Sequence, residues 1–196
     1  MQVDITLEQK KNGKIEAMAA GHVFEPGDVI RLRLESRYEG FLYVMDQGSS
    51  GKFMTVFPSA ETGSDNRVHV GERYLVPAVE EGWFEVMGPA GFDVLYFLLS
   101  PSALASPSVT TFVAPGPAGS LKPRCNDKIF RARGECMDDS AGPAAISDGA
   151  ELPAPLVPLA GSASRDIVFT KGKGPAVSVS GATAAPTIYT FRLAHK

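Results

Sequence analysis

The stretch VIRLRLES, Val29–Ser36, places Ile30, Leu32 and Leu34 on one side of the chain and Arg31, Arg33 and Glu35 on the other. A two-residue side-chain period is what a strand needs when one face is buried and the other wet. The same alternation runs from Phe24 to Pro101, broken at short intervals by Gly, Pro, Asp and Asn. It identifies a β-sheet module, and no recognisable catalytic motif lies within it.

Working outward, Val3, Ile5 and Leu7 alternate with polar residues before Lys11-Asn12-Gly13-Lys14. Asn-Gly supplies the positive φ angles of a two-residue hairpin loop, so residues 3–18 read as a hairpin. Pro26-Gly27-Asp28 reads as a turn. Strands are expected at 29–36, 41–45 and 53–57, followed by a polar loop at 58–66 and short strands at 68–70 and 74–76. Pro77 limits how far the last can pair. Trp83–Met87 and Phe92–Ser100 flank Gly88-Pro89-Ala90-Gly91 and read as a second hairpin. Val94–Leu99, VLYFLL, does not alternate. It is expected to be a central strand buried on both faces, or one whose outer face is covered by the C-terminal segment.

After Ser100 the composition shifts, with nine of the fifteen prolines lying between Pro101 and Pro158. No long helical period survives there, and the best helical candidate is residues 127–134, about two turns. Strand signals resume at 165–170, 176–180 and 187–193.

Cys125 and Cys136 are the two cysteines, with ten residues between them. The spacing matches neither a structural zinc site nor a thioredoxin-type redox pair. A disulfide closing a short loop suits the pair, with free buried thiols and a metal site as the alternatives. A disulfide implies an oxidising compartment.

The expected architecture is therefore all-β: an antiparallel sandwich or Greek-key-like barrel with a long, loop-rich, disulfide-clamped excursion. Residues 1–196 read as one domain, with a sheet core at 1–100, the excursion at 101–164 and closing strands at 165–196.

Charged residues make up 21% and apolar residues 44%, close to the globular average, so wholesale disorder is not expected. Net charge is −3 and the Lys and Arg residues are scattered, which leaves no basic stripe for nucleic acid. The longest apolar run, Val94–Leu99, is far short of the ~20 residues of a membrane-spanning helix. The N-terminus shows no charged leader before an apolar run. Two readings follow, a cytoplasmic protein or a mature exported domain whose leader has been removed, and the cysteines favour export.

The order Phe24-Glu25-Pro26-Gly27-Asp28, then Ile30–Leu34 and Glu39-Gly40-Phe41-Leu42-Tyr43-Val44, continues through Gly51, Phe57-Pro58 and Asn66-Arg67-Val68 to Gly71 and Val76-Pro77. In that order these pieces resemble the bacterial domain of unknown function 4384 family over about the first hundred residues. Pro123-Arg124-Cys125, Gly134–Asp138, Ala141-Gly142-Pro143 and the ending Phe191–His195 are similar to a secreted subset of the same group. The resemblance implies an exported or membrane-tethered β-rich accessory module, of a kind also found beside caspase-like peptidase or protein-kinase domains. It implies no catalytic residues.

Three histidines are present, His22, His69 and His195, and no Gly-x-Ser-x-Gly elbow accompanies them. Asp127, Glu135, Asp138 and Asp139 cluster near the cysteines. Calcium takes six to eight oxygens, but no Asp-x-Asp-x-Asp-Gly loop occurs. Arg124, Lys128, Arg131 and Arg133 share the stretch, so local ion pairing is the expectation and no metal site is assigned. Gly172-Lys173-Gly174 lacks the strand-to-helix setting of a phosphate loop. Among the aromatics, Trp83, Tyr43 and Tyr74 are the candidates for partner contact.

The functional expectation is a non-enzymatic accessory module, periplasmic or secreted, that binds a protein or glycan partner without a cofactor. A cell-wall hydrolase with a site assembled from scattered Asp, Glu and His is the second reading. A structural spacer is the third.

Overall fold

The computed structural model describes residues 1–79, 81–104, 110–112, 122–144, 146, 152–157, 168–171, 175–181 and 185–196. Two sheets pack face to face as a sandwich. The first comprises β1 (Gln2–Lys11), β2 (Lys14–Met18), β4 (Val29–Ser36), β8 (Arg73–Val76), β9 (Phe84–Glu85), β13 (Val168–Lys171) and β14 (Val177–Ser180). Its order is β13-β14-β1-β4-β8, with β2 also on β1 and β9 also on β4. The second comprises β3 (Val23–Phe24), β5 (Gly40–Gln47), β6 (Lys52–Phe57), β7 (Arg67–Val68), β10 (Gly91–Ser100), β11 (Thr110–Phe112), β12 (Gly142–Ala144) and β15 (Thr187–His195). Its order is β11-β6-β5-β10-β15-β12, with β7 on β5 and the short β3 parallel to β15.

The expected hairpin at 3–18 is β1–β2, turned at Asn12 and Gly13 with φ of 52° and 74°. That pair of positive angles is what Asn-Gly allows at little cost. β4 alternates as the sequence indicates. Ile30, Leu32 and Leu34 enter the core with Val3, Ile5 and Leu7 of β1, facing Leu42, Val44, Leu95, Phe97 and Leu99 of the second sheet.

On the outer face of the first sheet, Glu8 accepts from Arg31 Nε at 2.8 Å and from Arg33 Nε at 2.6 Å. Burial works against the charge on Glu8, but the bonds from Arg31 and Arg33 outweigh it and hold the carboxyl below its usual range. Its stabilisation is complete above the unfolded-state value, about 4.3, and is lost as pH falls towards the lower folded value. Glu8→Gln is expected to cost about 1–2 kcal/mol at pH 7, the low end for two charge-assisted bonds at a partly wet site. Urea unfolding at pH 7 and pH 3 checks this, since the difference from wild type should shrink in acid.

One sequence expectation is corrected. The segments flanking residues 88–91 do not form a hairpin: β9 pairs with β4 in the first sheet, while β10 lies between β5 and β15 in the second. Both edges of β10 are occupied, so β9 has no place beside it and the loop carries the chain across the sandwich. β10 is otherwise the central strand that VLYFLL indicated. Its outer face, with Tyr96 and Leu98, is covered by Leu156, and Leu104, Ile146 and Leu152 pack against the same cluster. All four covering residues belong to the excursion and none to the C-terminal strands.

Cys125 and Cys136 form a disulfide. Between them α1 (Asp127–Arg133) is capped by Asn126, whose side chain accepts from the Lys128 and Ile129 amides, and ends at Gly134 with φ of 69°. Val23 N donates to Cys136 O at 3.0 Å, Asp138 N donates to Gly21 O at 2.8 Å, and β12 pairs with β15. The clamp therefore seals one margin of the second sheet. Residues 105–109, 113–121, 145, 147–151, 158–167, 172–174 and 182–184 of the expected excursion and closing strands lie outside the described residues.

Candidate functional site

Three neighbouring strands of the second sheet carry apolar rows on their inner faces: Leu42 and Val44 on β5, Leu99, Phe97 and Leu95 on β10, and Tyr189, Phe191 and Leu193 on β15. Each row ends in a polar residue two positions on, namely Asp46, Asp93 and His195. The antiparallel register brings the three endings to one end of the sandwich, since Asp46 sits opposite Leu95, Asp93 opposite Leu193 and His195 opposite Gly91. A period of two puts all three side chains on the core side of the sheet. The sandwich thus closes this end of its core with two carboxylates and an imidazole.

These groups line a cavity of about 160 Å³ between the sheets, walled by Phe24, Ile30, Leu32, Val56, Phe84, Val86 and Leu95. The β9 crossover supplies Phe84 and Val86. A larger hollow of about 630 Å³ shares Asp46, Val56 and Phe84 with it and is bordered by Met54 and residues 58–62.

Asp93 Oδ1 accepts from Ser49 N at 2.7 Å and lies 3.3 Å from His195 Nε2. The β5–β6 turn that presents Ser49 is tied to the β9–β10 loop by Ser49 Oγ, which donates to Pro89 O at 3.1 Å. Asp46 differs. Its Oδ1 is buried with no hydrogen-bond partner among the described residues, and so is Nδ1 of His195, a residue only 2% exposed. Burial first, and the Asp93 charge second, push the Asp46 carboxyl well above its usual range, with Lys52 opposing.

A carboxyl whose folded value is raised binds more protons in the native state than in the unfolded chain. Stability therefore falls as pH rises above the unfolded value, about 3.9. Asp46→Asn is expected to be more stable than wild type at pH 8, with the gap closing as pH falls to about 4. Thermal unfolding across that range checks the sign. An equal or lower midpoint for Asp46→Asn at pH 8 would contradict it.

The candidate contact aromatics are not brought together. Tyr43 is 2% exposed on the outer face of the second sheet, where its hydroxyl accepts from Leu104 N at 2.7 Å. It lies under the excursion and presents no surface to a partner. Tyr74 packs on the core edge and donates to Glu72 Oε2 at 2.8 Å while accepting from His69 N. Trp83 is half-buried, with Arg31 Cζ 4.4 Å and Lys10 Nζ 5.7 Å from its ring centroid. Its face is thus used by cations of its own chain.

His69 Nδ1 lies 2.8 Å from Glu39 Oε2, and His22 stands edge-on to Phe24 beside the disulfide clamp. The acidic residues near the disulfide serve the loop itself. Asp138 accepts from Arg124 N, Ser140 N and Ser140 Oγ, and Asp139 accepts from Asn126 Nδ2. Among the described residues no group of three His, Cys, Asp or Glu side chains could hold a metal ion. No helix among them is long and apolar enough to cross a membrane.

The Asp46–Asp93–His195 set was not singled out from the sequence, although a signal was present. Leu42-x-Val44-x-Asp46, Asp93-x-Leu95-x-Phe97 and Phe191-x-Leu193-x-His195 each place a polar residue in phase with a core row. What was missing is the register that aligns the three row ends.

Residues 23–103 match the model of the family described as Domain of unknown function (DUF4384). The matched segment contains Asp46 and Asp93, while His195 and the disulfide lie beyond it. No curated protein and no solved structure matches the chain.

Proposed function

From a chain that carries a DUF4384 domain at residues 23–103, we propose an exported, non-enzymatic accessory module that binds a partner through the Asp46–Asp93–His195 end of the sandwich. The observation that carries this reading is the buried Asp46 Oδ1, without a donor among the described residues, beside a mostly apolar cavity. An unmet acceptor of this kind costs about 1–3 kcal/mol, and a donor from a partner would offset that. Export is supported by the Cys125–Cys136 disulfide. Treating all 196 residues as one unit is supported by the C-terminal strands, since β14 pairs with β1 and β15 with β10.

The inner cavity, about 160 Å³, falls below the ~300 Å³ at which small-molecule pockets begin and suits one side chain. The hollow of about 630 Å³ that shares Asp46 leaves room beside it for a protein segment or a glycan. A hydrolase is the second reading, favoured by the convergence of two carboxylates and a histidine at one cavity.

One experiment separates the two. Immobilised wild type and Asp46→Asn are incubated with bacterial envelope extract, and both are assayed for release of soluble fragments from cell-wall material. The binding reading expects a specific protein that wild type retains at least tenfold better than Asp46→Asn, with no fragment release. Equal recovery by both would overturn it, and release that depends on Asp46 would support the hydrolase.

A further inference from the structure

The cavity has the chemistry of a receptacle for one particular side chain. Its walls are apolar, from Phe24, Ile30, Leu32, Val56 and Phe84, and its polar endings are the Asp46 and Asp93 carboxylates. A complementary occupant has a narrow apolar stem and a single positive tip. The volume, about 160 Å³, is close to the ~150 Å³ cavity that admits a benzene-sized guest, and a four-carbon chain is of that order.

The tip is further constrained. Asp93 Oδ1 already receives Ser49 N and sits beside His195 Nε2, whereas Asp46 Oδ1 receives nothing among the described residues. A planar guanidinium is matched by one carboxylate that faces its fork. A compact ammonium is instead a point charge with three rotatable donors, which two carboxylates, Asp46 and Asp93, can share at the end of a narrow cavity. The wall cation does not compete, because Arg31 is bonded to Glu8 and stacked on Trp83.

We propose that this cavity receives a lysine side chain from a partner protein, with the stem along Phe84 and Val56 and the ammonium at Asp46 and Asp93. The proposal rests on the binding reading above and names the chemistry of its partner.

The charged and titratable groups facing the site are Asp46 on β5, Asp93 on β10, His195 on β15, Glu85 on β9 and Arg31 on β4, with Lys52 of β6 acting on Asp46. An ammonium favours ionised Asp46, whose folded value is raised, so affinity rises with pH.

The test uses the full chain and n-butylammonium as probe, with n-butanol as its neutral counterpart, followed by amide chemical shifts in NMR titrations. Saturable shifts are expected at residues 46–49, 93–95 and 193–195. The ammonium should bind at least tenfold tighter than the alcohol at pH 8, and this preference should shrink at pH 5. Asp46→Asn should abolish the preference while leaving the spectrum of the folded chain in place.

Equal affinity for amine and alcohol, or a preference that survives Asp46→Asn, would overturn the proposal. If the amine fails while the envelope partner still depends on Asp46, the lysine is wrong and the binding reading stands. If both fail, both are overturned.

Discussion

Phe97→Ala is expected to lower the unfolding free energy by about 3–5 kcal/mol, the range for removing a buried aromatic ring without filling its space. Phe97 is wholly buried at the centre of β10, opposite Tyr189 on β15 and Val44 on β5. Its ring lies parallel to that of Tyr189, with centroids 5.0 Å apart. An aromatic pair of this kind adds about 0.5–1.5 kcal/mol beyond the area it buries. Neighbouring strands flank the site on both sides, so the backbone cannot collapse into the void and the cost falls towards the upper end of the range. The measurement is urea unfolding followed by circular dichroism at constant slope. A loss below about 1.5 kcal/mol would show that the core relaxes around the missing ring. The effect should also reach the site, because Phe97 and Leu95 form the inner row that ends in Asp93.

Local physics made part of this molecule legible. Asn12-Gly13 admits one tight reversal between two alternating runs, and the chain makes it. Ile30, Leu32 and Leu34 occupy the face their period assigns them. Asn126 and Gly134 bracket α1 as cap and stop, where residues 127–134 are the best helical candidate, about two turns. The two cysteines met as a loop-closing bridge.

Where the reading failed, local chemistry was indifferent to the outcome. A Gly-Pro-Ala-Gly loop reverses a chain equally well whether its flanks pair together or separate into two sheets. β10 is claimed on both edges by β5 and β15, which are remote in sequence, and nothing within residues 83–100 reveals that competition. The misread crossover is also what brings Phe84 and Val86 opposite Asp93, so the hairpin error concealed the cavity. Leu156 was invisible for another reason. One apolar residue in a Pro-rich stretch has no period to betray which face it covers. Tyr43 shows the same limit, since it looks like a surface aromatic until the excursion is laid over it.

Replacing both cysteines, Cys125→Ala with Cys136→Ala, is expected to destabilise the chain by about 3 kcal/mol, the chain-entropy value for a loop of this length. The full effect should register globally because Cys136 shares a buried cluster with Val23, Phe92 and Ala194, which belong to β3, β10 and β15. The clamp cannot open without exposing that cluster, nor without breaking the bonds from Val23 N to Cys136 O and from Asp138 N to Gly21 O. Local opening would leave the midpoint unchanged and raise amide exchange only in residues 21–24 and 136–144. Coupled opening lowers the midpoint and raises exchange in β15 as well. The second pattern is expected, in denaturant titrations and hydrogen exchange on the double variant. Because β3 carries Phe24 and β15 carries His195, the same loosening reaches the cavity. A binding signal that depends on Asp46 should then weaken in the double variant and under thiol reductant alike, and an unchanged signal would place the clamp outside the machinery of the site.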